Sequence, residues 1–475
     1  MPTTSSETVF SKDIGVLMRG QDPKPRSADR DSHIRACLAR ENNDPLGQAF
    51  ERKMAIHAGF GGAPVPTDQI DRRLEKALDM PRIGKTAAYI HVPFCETHCL
   101  YCGFYTRAYG REESARYTDG LLTELDLWRE TALIRSGPVH AVYVGGGTPT
   151  SLEAGDLERL ITGVRQALPL ANDCEITVEG RIHNFGPDKM EACLEAGANR
   201  FSLGVQTFDT DLRRSLGRKA GRSDILASLR RLSTYGQAAV VIDLIYGFPG
   251  QSMDMWRADL DTLLDLELDG VDLYQLNLFK GTPLFRAVED GRMPQPADTA
   301  TQGRMYAEGS RILDQARWRR LSSSHWGRTT RERNIYNHTV KGPAHCLGFG
   351  PGAGGSLHDC SYFVRRDYSG WLEEIGQGRK PVAALMLAPE HAVLAKSLAQ
   401  DFDVGRINLS RLGRTLSLPL ADLARPVTDQ WARAGLLRPD GEWLDLTVAG
   451  HFWQVTMAHL LITFFNRTIQ EEFAS

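Results

Sequence analysis

The run His91-Val-Pro-Phe-Cys-Glu-Thr-His-Cys-Leu-Tyr-Cys-Gly-Phe104 sets Cys95, Cys99 and Cys102 in the spacing C-x3-C-x2-C. Three thiolates from one short loop suit three irons of a [4Fe–4S] cluster, because soft sulfur ligands match iron–sulfur chemistry. A fourth iron then lacks a protein ligand, and its open corner can take a substrate or cofactor directly. A closed zinc site needs four ligands. His91 or His98 could complete one, but such sites usually join two separated ligand pairs. A c-type haem attachment needs Cys-x-x-Cys-His, whereas Gly103 follows Cys102. Eight cysteines in 475 residues, without a recognisable secretory start, argue against a disulfide framework.

Outward from this loop, short apolar strands alternate with amphipathic helices from Ala87 on. The strands are expected at Ala88–Val92, Ala141–Val144, Glu175–Glu179, Arg200–Val205, Val240–Ile245 and Val271–Leu276. Helices are expected at Ser114–Thr131, Glu153–Leu168, Asp188–Ala196, Ser223–Tyr235 and Ser252–Leu266. Six β-α units imply a parallel sheet with crossover helices, whose sites form at the carboxyl ends of the strands.

The polar motifs fall at those ends. The second strand runs into Val144-Gly-Gly-Gly-Thr-Pro-Thr150. Glycines let a ligand approach the backbone, although a plain turn reads the same way. No lysine follows, so this is not a phosphate-binding P-loop. Glu179 ends the third strand and Gln206 the fourth. Asp243 lies inside the fifth, in Val241-Ile-Asp-Leu-Ile-Tyr-Gly-Phe-Pro-Gly250. A carboxylate in so apolar a strand needs a partner. A structural ion pair, for example with Arg218, would also satisfy it.

Taken with Tyr89-Ile-His-Val-Pro-Phe-Cys95, these motifs resemble the radical S-adenosylmethionine (SAM) signature, more narrowly that of the oxygen-independent coproporphyrinogen oxidase branch. The resemblance implies an α/β fold: a partial (β/α)6 barrel over residues 86–295. An N-terminal arm (1–85) would precede it. A bridging substrate-cover region (296–388) and a small α+β, winged-helix-like C-terminal domain (389–475) would follow. It implies that Cys95, Cys99 and Cys102 hold a [4Fe–4S] cluster whose open iron chelates SAM. Reduction then cleaves SAM to methionine and a 5′-deoxyadenosyl radical. Tyr89, Gly146 and Glu179 match positions that contact this SAM, and the aromatic Tyr101 completes the cysteine motif as a cofactor-binding residue. Gly147, Thr148, Gln206, Arg218 and Asp243 match the site of a second SAM, with Gln206 and Asp243 implied in catalysis.

Within the branch, the chain most resembles the anaerobic haem-utilisation methyltransferases of the ChuW/HutW type. The supporting marks are Glu179-Gly-Arg-Ile-His-Asn-Phe185 and a glycine-rich loop at 348–355. Coproporphyrinogen oxidases usually carry a further cysteine where Phe104 stands. The resemblance thus implies haem as substrate. The radical would take hydrogen from the methyl group of the second SAM, and the resulting methylene radical would add to the macrocycle. The product would be a methylated linear tetrapyrrole with iron released. A flavodoxin- or ferredoxin-like protein would donate electrons. A non-catalytic haem chaperone and a coproporphyrinogen III dehydrogenase are the competing readings.

The remaining features set bounds. Hydrophobic residues make up 42% and the net charge is −3, so no basic footprint points to nucleic acid. The most apolar late stretch, Met457–Phe465, is shorter than the roughly 20 residues of a spanning helix, so no transmembrane segment is expected. Free thiols and an oxygen-sensitive cluster imply a reducing cytoplasm. Cys37, Cys174, Cys193, Cys346 and Cys360 read as ordinary buried thiols. His325, His338, His345 and His358 lie where a tetrapyrrole could dock, although single histidines more often serve structural hydrogen bonds. Leu436–Leu446 reads as a hairpin. Oligomeric state leaves no trace in the sequence.

Overall fold

The computed structural model describes residues 30–54 and 62–472. The expected strands form as β1 (Thr86–Val92), β2 (Val139–Gly146), β3 (Leu170–Gly180), β4 (Arg200–Gln206), β5 (Ala239–Tyr246) and β6 (Gly270–Gln275). They pair in parallel in that order. The intervening helices are α1 (Glu113–Trp128), α2 (Ala154–Ala167), α3 (Pro187–Glu195), α4 (Arg222–Thr234) and α5 (Met253–Leu266). Near-continuous burial along β4 and β5 explains their uninterrupted apolar sequence, since helices cover a parallel sheet. The helix starts are capped: Ser252 accepts a hydrogen bond from the Met255 N–H and opens α5, a contact worth about 1 kcal/mol.

The sheet does not stop at six strands. Among the described residues it has thirteen, continued on both edges by strands from later and earlier in the chain. Beyond β6, β7 (His325–Gly327) pairs antiparallel. Beyond β1, β8 (His345–Phe349) pairs in parallel, followed by β9 (Gly354–Leu357), β10 (Cys360–Val364) and β11 (Val382–Leu387), all antiparallel. The run at 348–355, read as a glycine-rich loop, is therefore two strands joined by a turn. Gly348 is required there by packing: a Cβ would lie 2.4 Å from the Gly354 carbonyl oxygen. Ala63–Pro64, from the N-terminal segment, pairs outside β11.

The later helices are α6 (Thr299–Gln315), α7 (Ile335–Lys341), α8 (Ala392–Val404), α9 (Leu409–Leu416), α10 (Leu420–Arg433) and α11 (Val448–Glu472). Between α10 and α11, β12 (Leu437–Asp440) and β13 (Trp443–Leu446) form the expected hairpin, which Arg406–Ile407 joins as a third strand. The apolar stretch at 457–465 is not a short segment. It belongs to the 25-residue α11, because Gln454, Thr456 and Thr468 interrupt the apolar run without breaking the helix. Val448–Gln470 is long and apolar enough to cross a membrane by length and composition, but 67% of its most apolar window is buried inside the protein. It packs on α8 and on the helix Arg30–Cys37.

The N-terminal segment is stitched to these C-terminal helices. The Gln430 amide donates to the Ala39 carbonyl at 2.7 Å and accepts from its N–H at 2.9 Å. The Trp431 indole donates to the Cys37 carbonyl at 2.8 Å and the Trp453 indole to that of Pro45 at 3.0 Å. Cys37, Ala39 and Ala49 join the same hydrophobic core as the strands. Residues 1–29 of the expected N-terminal arm lie outside the described residues.

Candidate active site

Cys95 and Cys99 are buried, and Cys102 is partly exposed. Each sulfur receives a donor. Thr148 Oγ1 donates to Cys95 Sγ at 3.4 Å, and Arg181 Nη2 lies 3.6 Å from the same atom. Arg218 Nη1 donates to Cys99 Sγ at 3.4 Å, and the Phe104 N–H to Cys102 Sγ at 3.3 Å. Burial pushes the Cys99 thiol up, but Arg218, Arg181 and a hydrogen bond with Tyr101 outweigh it and make the thiol more acidic than usual. Burial prevails at Cys95 and Cys102, whose thiols are raised.

Among the described residues no three Cys, His, Asp or Glu side chains converge closely enough to hold a single metal ion. The three thiols are near enough to act on one another electrostatically, and a cluster that takes one iron per thiolate asks for three positions rather than one centre. Soft ligands with hydrogen-bonded sulfurs fit a [4Fe–4S] group.

Beside the loop is a cavity of about 360 Å³. Tyr89, Gly146 and Glu179 line it together with Phe104, His91 and Arg366. The three residues expected at one SAM are thus brought to one wall. The Gly146 N–H donates to Glu179 Oε2 at 3.2 Å. Burial raises the Glu179 carboxyl to about 7, against the pull of that N–H and of Arg181. The Tyr89 hydroxyl is 2.9 Å from His91 Nδ1. Tyr89, Tyr143 and Tyr336 stack, with Tyr143 and Tyr336 centroids 4.7 Å apart.

The glycine loop packs more tightly than a ligand-facing turn requires. Gly146 has φ +113°, and a Cβ there would meet the His91 ring at 2.7 Å and the Val92 carbonyl oxygen at 2.9 Å. A Cβ on Gly147 would lie 2.4 Å from the Phe94 carbonyl oxygen. These glycines let β2 approach the cluster loop. Thr148 is buried with its hydroxyl on Cys95, so it and Gly147 abut the cluster loop.

The other expected set lies across the sheet interior. Gln206 is left-handed, with φ +73°, a conformation costing a non-glycine residue about 1–3 kcal/mol and concentrated at functional sites. It is buried, and its Oε1 lacks a hydrogen-bond partner. Arg218 donates to the Gly204 carbonyl and, at 3.0 Å, to the Tyr101 hydroxyl. It therefore ties β4 to the cluster loop and is not the partner of Asp243. Among the described residues the one side-chain hydrogen bond to Asp243 comes from the Ser202 hydroxyl, at 3.5 Å. Burial, reinforced by Asp272 and Glu179, raises the Asp243 carboxyl to about 8.

Behind Asp243 runs a charged chain that sequence reasoning missed. Asp272 is its register partner on β6. His325, 1% exposed, has Nδ1 at 2.8 Å from Asp272 Oδ2 and Nε2 at 3.1 Å from Glu332 Oε1. The Asp272 contact is at ion-pair distance but off the hydrogen-bonding direction. Burial works against the imidazolium, but the two carboxylates raise it to about 9. Arg200 closes the chain on Glu332 at 2.9 Å. His325 is fully engaged in this chain. His338 is exposed, and His345 and His358 pair with each other, ring centroids 5.0 Å apart. Arg181 was also missed as a cluster neighbour, although Glu179-Gly-Arg181 marked its position.

The radical SAM superfamily profile matches residues 89–263. The chain is 42% identical over 412 residues to anaerobilin synthase of Escherichia coli O157:H7, covering 86% of this chain and 90% of that protein. The chain belongs to the radical SAM superfamily. As a radical SAM enzyme it works with a [4Fe–4S] cluster and SAM. It is also 32% identical to the heme chaperone HemW of Lactococcus lactis, covering 58% of this chain and 71% of that one. Its fold matches coproporphyrinogen III oxidase of Escherichia coli, a radical SAM enzyme, with a TM-score of 0.72 at 20% identity over 83% of this chain and 93% of that chain. Other radical SAM relatives include the mitochondrial radical SAM domain-containing protein 1 of Bos taurus, 31% identical over 68% of this chain and 75% of that one.

Proposed function

We propose that this radical SAM enzyme degrades haem without oxygen, acting as a C-methyltransferase that opens the macrocycle to a methylated linear tetrapyrrole and frees the iron. The observation that carries this reading is the 42% identity to anaerobilin synthase across 90% of that protein. The site geometry supports it, because two sets of ligand-binding candidates share one sheet interior.

Cys95, Cys99 and Cys102 would hold the cluster, which when reduced would supply one electron to SAM, and Thr148, Arg181 and Arg218 stabilise their thiolates. Tyr89, Gly146 and Glu179 orient the first SAM. Gln206, with its unpaired oxygen, and Asp243 orient a second SAM. Asp243 is held largely protonated near neutral pH by burial and by the neighbouring Asp272 and Glu179. A flavodoxin- or ferredoxin-like protein delivers electrons at the Cys102 edge, the least buried of the three ligands, in a reducing cytoplasm.

An anaerobic assay of the reconstituted protein with SAM, reductant and haem tests the proposal. Loss of the Soret band with appearance of a linear-tetrapyrrole spectrum is expected. Haem that binds and stays intact would instead favour the chaperone reading, which the HemW similarity supports. Activity on coproporphyrinogen III alone would select the dehydrogenase.

A further inference from the structure

A second cavity, of about 350 Å³, opens along β6 from Asp272 to Asn277, past the carboxyl end of the strand. That volume is in the ~300–1,000 Å³ range of small-molecule sites. Its walls come from the whole chain: Lys53 near the N-terminus, Ser322–Ser324 beside β7, Asn337 on α7 and Gln454 on α11.

The polar groups of this cavity are unevenly matched. Lys341 is paired with Asp403 at 2.7 Å. Asp272 is engaged by His325, and His451 by the Ser323 hydroxyl at 2.9 Å. Lys53 is different. Its ammonium donates to Gln275 Oε1 and sits 4.1 Å from the centroid of the Phe452 ring. Among the described residues no carboxylate pairs with it. An amide chain aims Gln275, because its Nε2 donates to Gln302 Oε1 at 2.7 Å and Gln302 donates onward to the Leu276 carbonyl at 3.1 Å. Lys53 is therefore held in place with two of its three donors left for a ligand. Gln454 is 9% exposed, lines the same space and has an unpartnered Oε1. A half-turn of that amide would present its NH2 instead, so it can serve either a donor or an acceptor. Burial pushes the Lys53 ammonium down to about 7, which an anion seated beside it would reverse.

We propose that Lys53 is the carboxylate anchor of the substrate site, receiving a propionate of the tetrapyrrole in the cavity beside the carboxyl end of β6. This rests on the function proposed above. The cavity borders β6 from Asp272 to Gln275, roughly 10 Å at ~3.3 Å per residue, a length that a macrocycle with peripheral carboxylates can span. Val455 and the Phe452 ring border the same cavity.

The test is an anaerobic titration of the full-length, cluster-reconstituted protein with haem and with haem dimethyl ester, followed at the Soret band. The wild type should bind haem about tenfold or more tightly than the ester, the scale of a charge-assisted hydrogen bond. Lys53→Met should lose that preference, and Lys53→Arg should recover much of it. Equal wild-type affinity for the two ligands would overturn the anchor, as would a Lys53→Met protein that keeps the preference. Iron content checks that the variants fold; if Lys53→Met does not, the wild-type ester comparison and Lys53→Arg still decide. The two readings separate cleanly. A carboxylate preference lost in Lys53→Met, with haem left intact by SAM and reductant, would keep the anchor and discard haem degradation. Ring opening without any carboxylate preference would do the reverse.

Discussion

The cavity at the cluster loop and the cavity at Lys53 are built in opposite ways. The first draws its key residues from a short span, Tyr89 to Glu179, on three adjacent strands. Its glycines are there because β2 must touch the cluster loop. The second draws on residues 53, 275, 337 and 454, which meet only after the N-terminal segment has been stitched to α10 and α11. The first is thus a rigid chemical centre set by local motifs. The second is a long-range assembly whose geometry depends on the two ends of the chain coming together.

The largest expected effect breaks the first cavity alone. Cys99→Ala should abolish cluster assembly and SAM cleavage, because two thiolates do not hold a SAM-competent cluster. Full iron and sulfide content in that variant would remove the basis of the assignment. Cys37→Ala, Cys174→Ala and Cys360→Ala should keep their iron.

Gly146→Val comes next. It places a β-branched side chain at φ +113° against the His91 ring and the Val92 carbonyl oxygen. Both strain and overlap act, so SAM affinity should fall about tenfold to a hundredfold, with a stability loss of ~1–3 kcal/mol. Unchanged SAM perturbation of the cluster's EPR spectrum would show that the loop tolerates a side chain.

Asp243 lies within electrostatic reach of Glu179, which lines the first cavity, and of Asp272, which lines the second. Asp243→Ala should lower methylated product far more than SAM cleavage, since one oriented reactant is lost while the cluster loop stays assembled. With methyl-deuterated SAM, the wild type should place deuterium in both 5′-deoxyadenosine and the tetrapyrrole; absence from both would discard the second SAM. Asp243 also carries a pH signature. Its carboxyl is raised from the ordinary 3.8 to about 8. Between those values the unfolded chain has given up this proton while the folded chain retains it. The group therefore subtracts stability progressively as pH rises from about 4 to 8. Glu179, raised to about 7, acts in the same direction. Thermal melts of Asp243→Asn should decline less steeply over that window than those of the wild type.

A smaller effect separates the cavities from the other side. Gln430→Leu removes both hydrogen bonds to Ala39 and should cost about 1–3 kcal/mol, read as a lower Tm. If the N-terminal stitch positions Lys53, haem affinity should weaken with it while cluster iron stays full. Thr148→Val is the mildest change. It removes one hydrogen bond to Cys95 Sγ, and the cluster should form but take a more negative potential, because hydrogen bonds to sulfur stabilise the reduced state. An unchanged redox titration would show that Thr148 only packs.

The β-α alternation and the strand-end positions of Glu179 and Gln206 were legible from the residues, because each follows from local spacing and a period of two or 3.6. The apolar run around Asp243 announced a buried carboxylate but named the wrong neighbour. Arg218 turned to Cys99 and Tyr101, and the charges acting on Asp243 came instead from Asp272, Glu179, Arg200 and His325, the last of them 82 positions downstream in the sequence. The seventh parallel strand, His345–Phe349, hid in a glycine-rich run, since glycine lowers strand propensity even where close packing demands it. The full length of α11 hid behind polar residues that a helix tolerates. The sequence by itself determined the chemistry of the cluster and the order of the β-α units, because those rest on contacts between near neighbours. Only the tertiary structure decided which charges face Asp243 and what surrounds Lys53. Burial and electrostatic partnership depend on distance in space, and residues 53 and 454 share a cavity only once the chain has closed around its sheet.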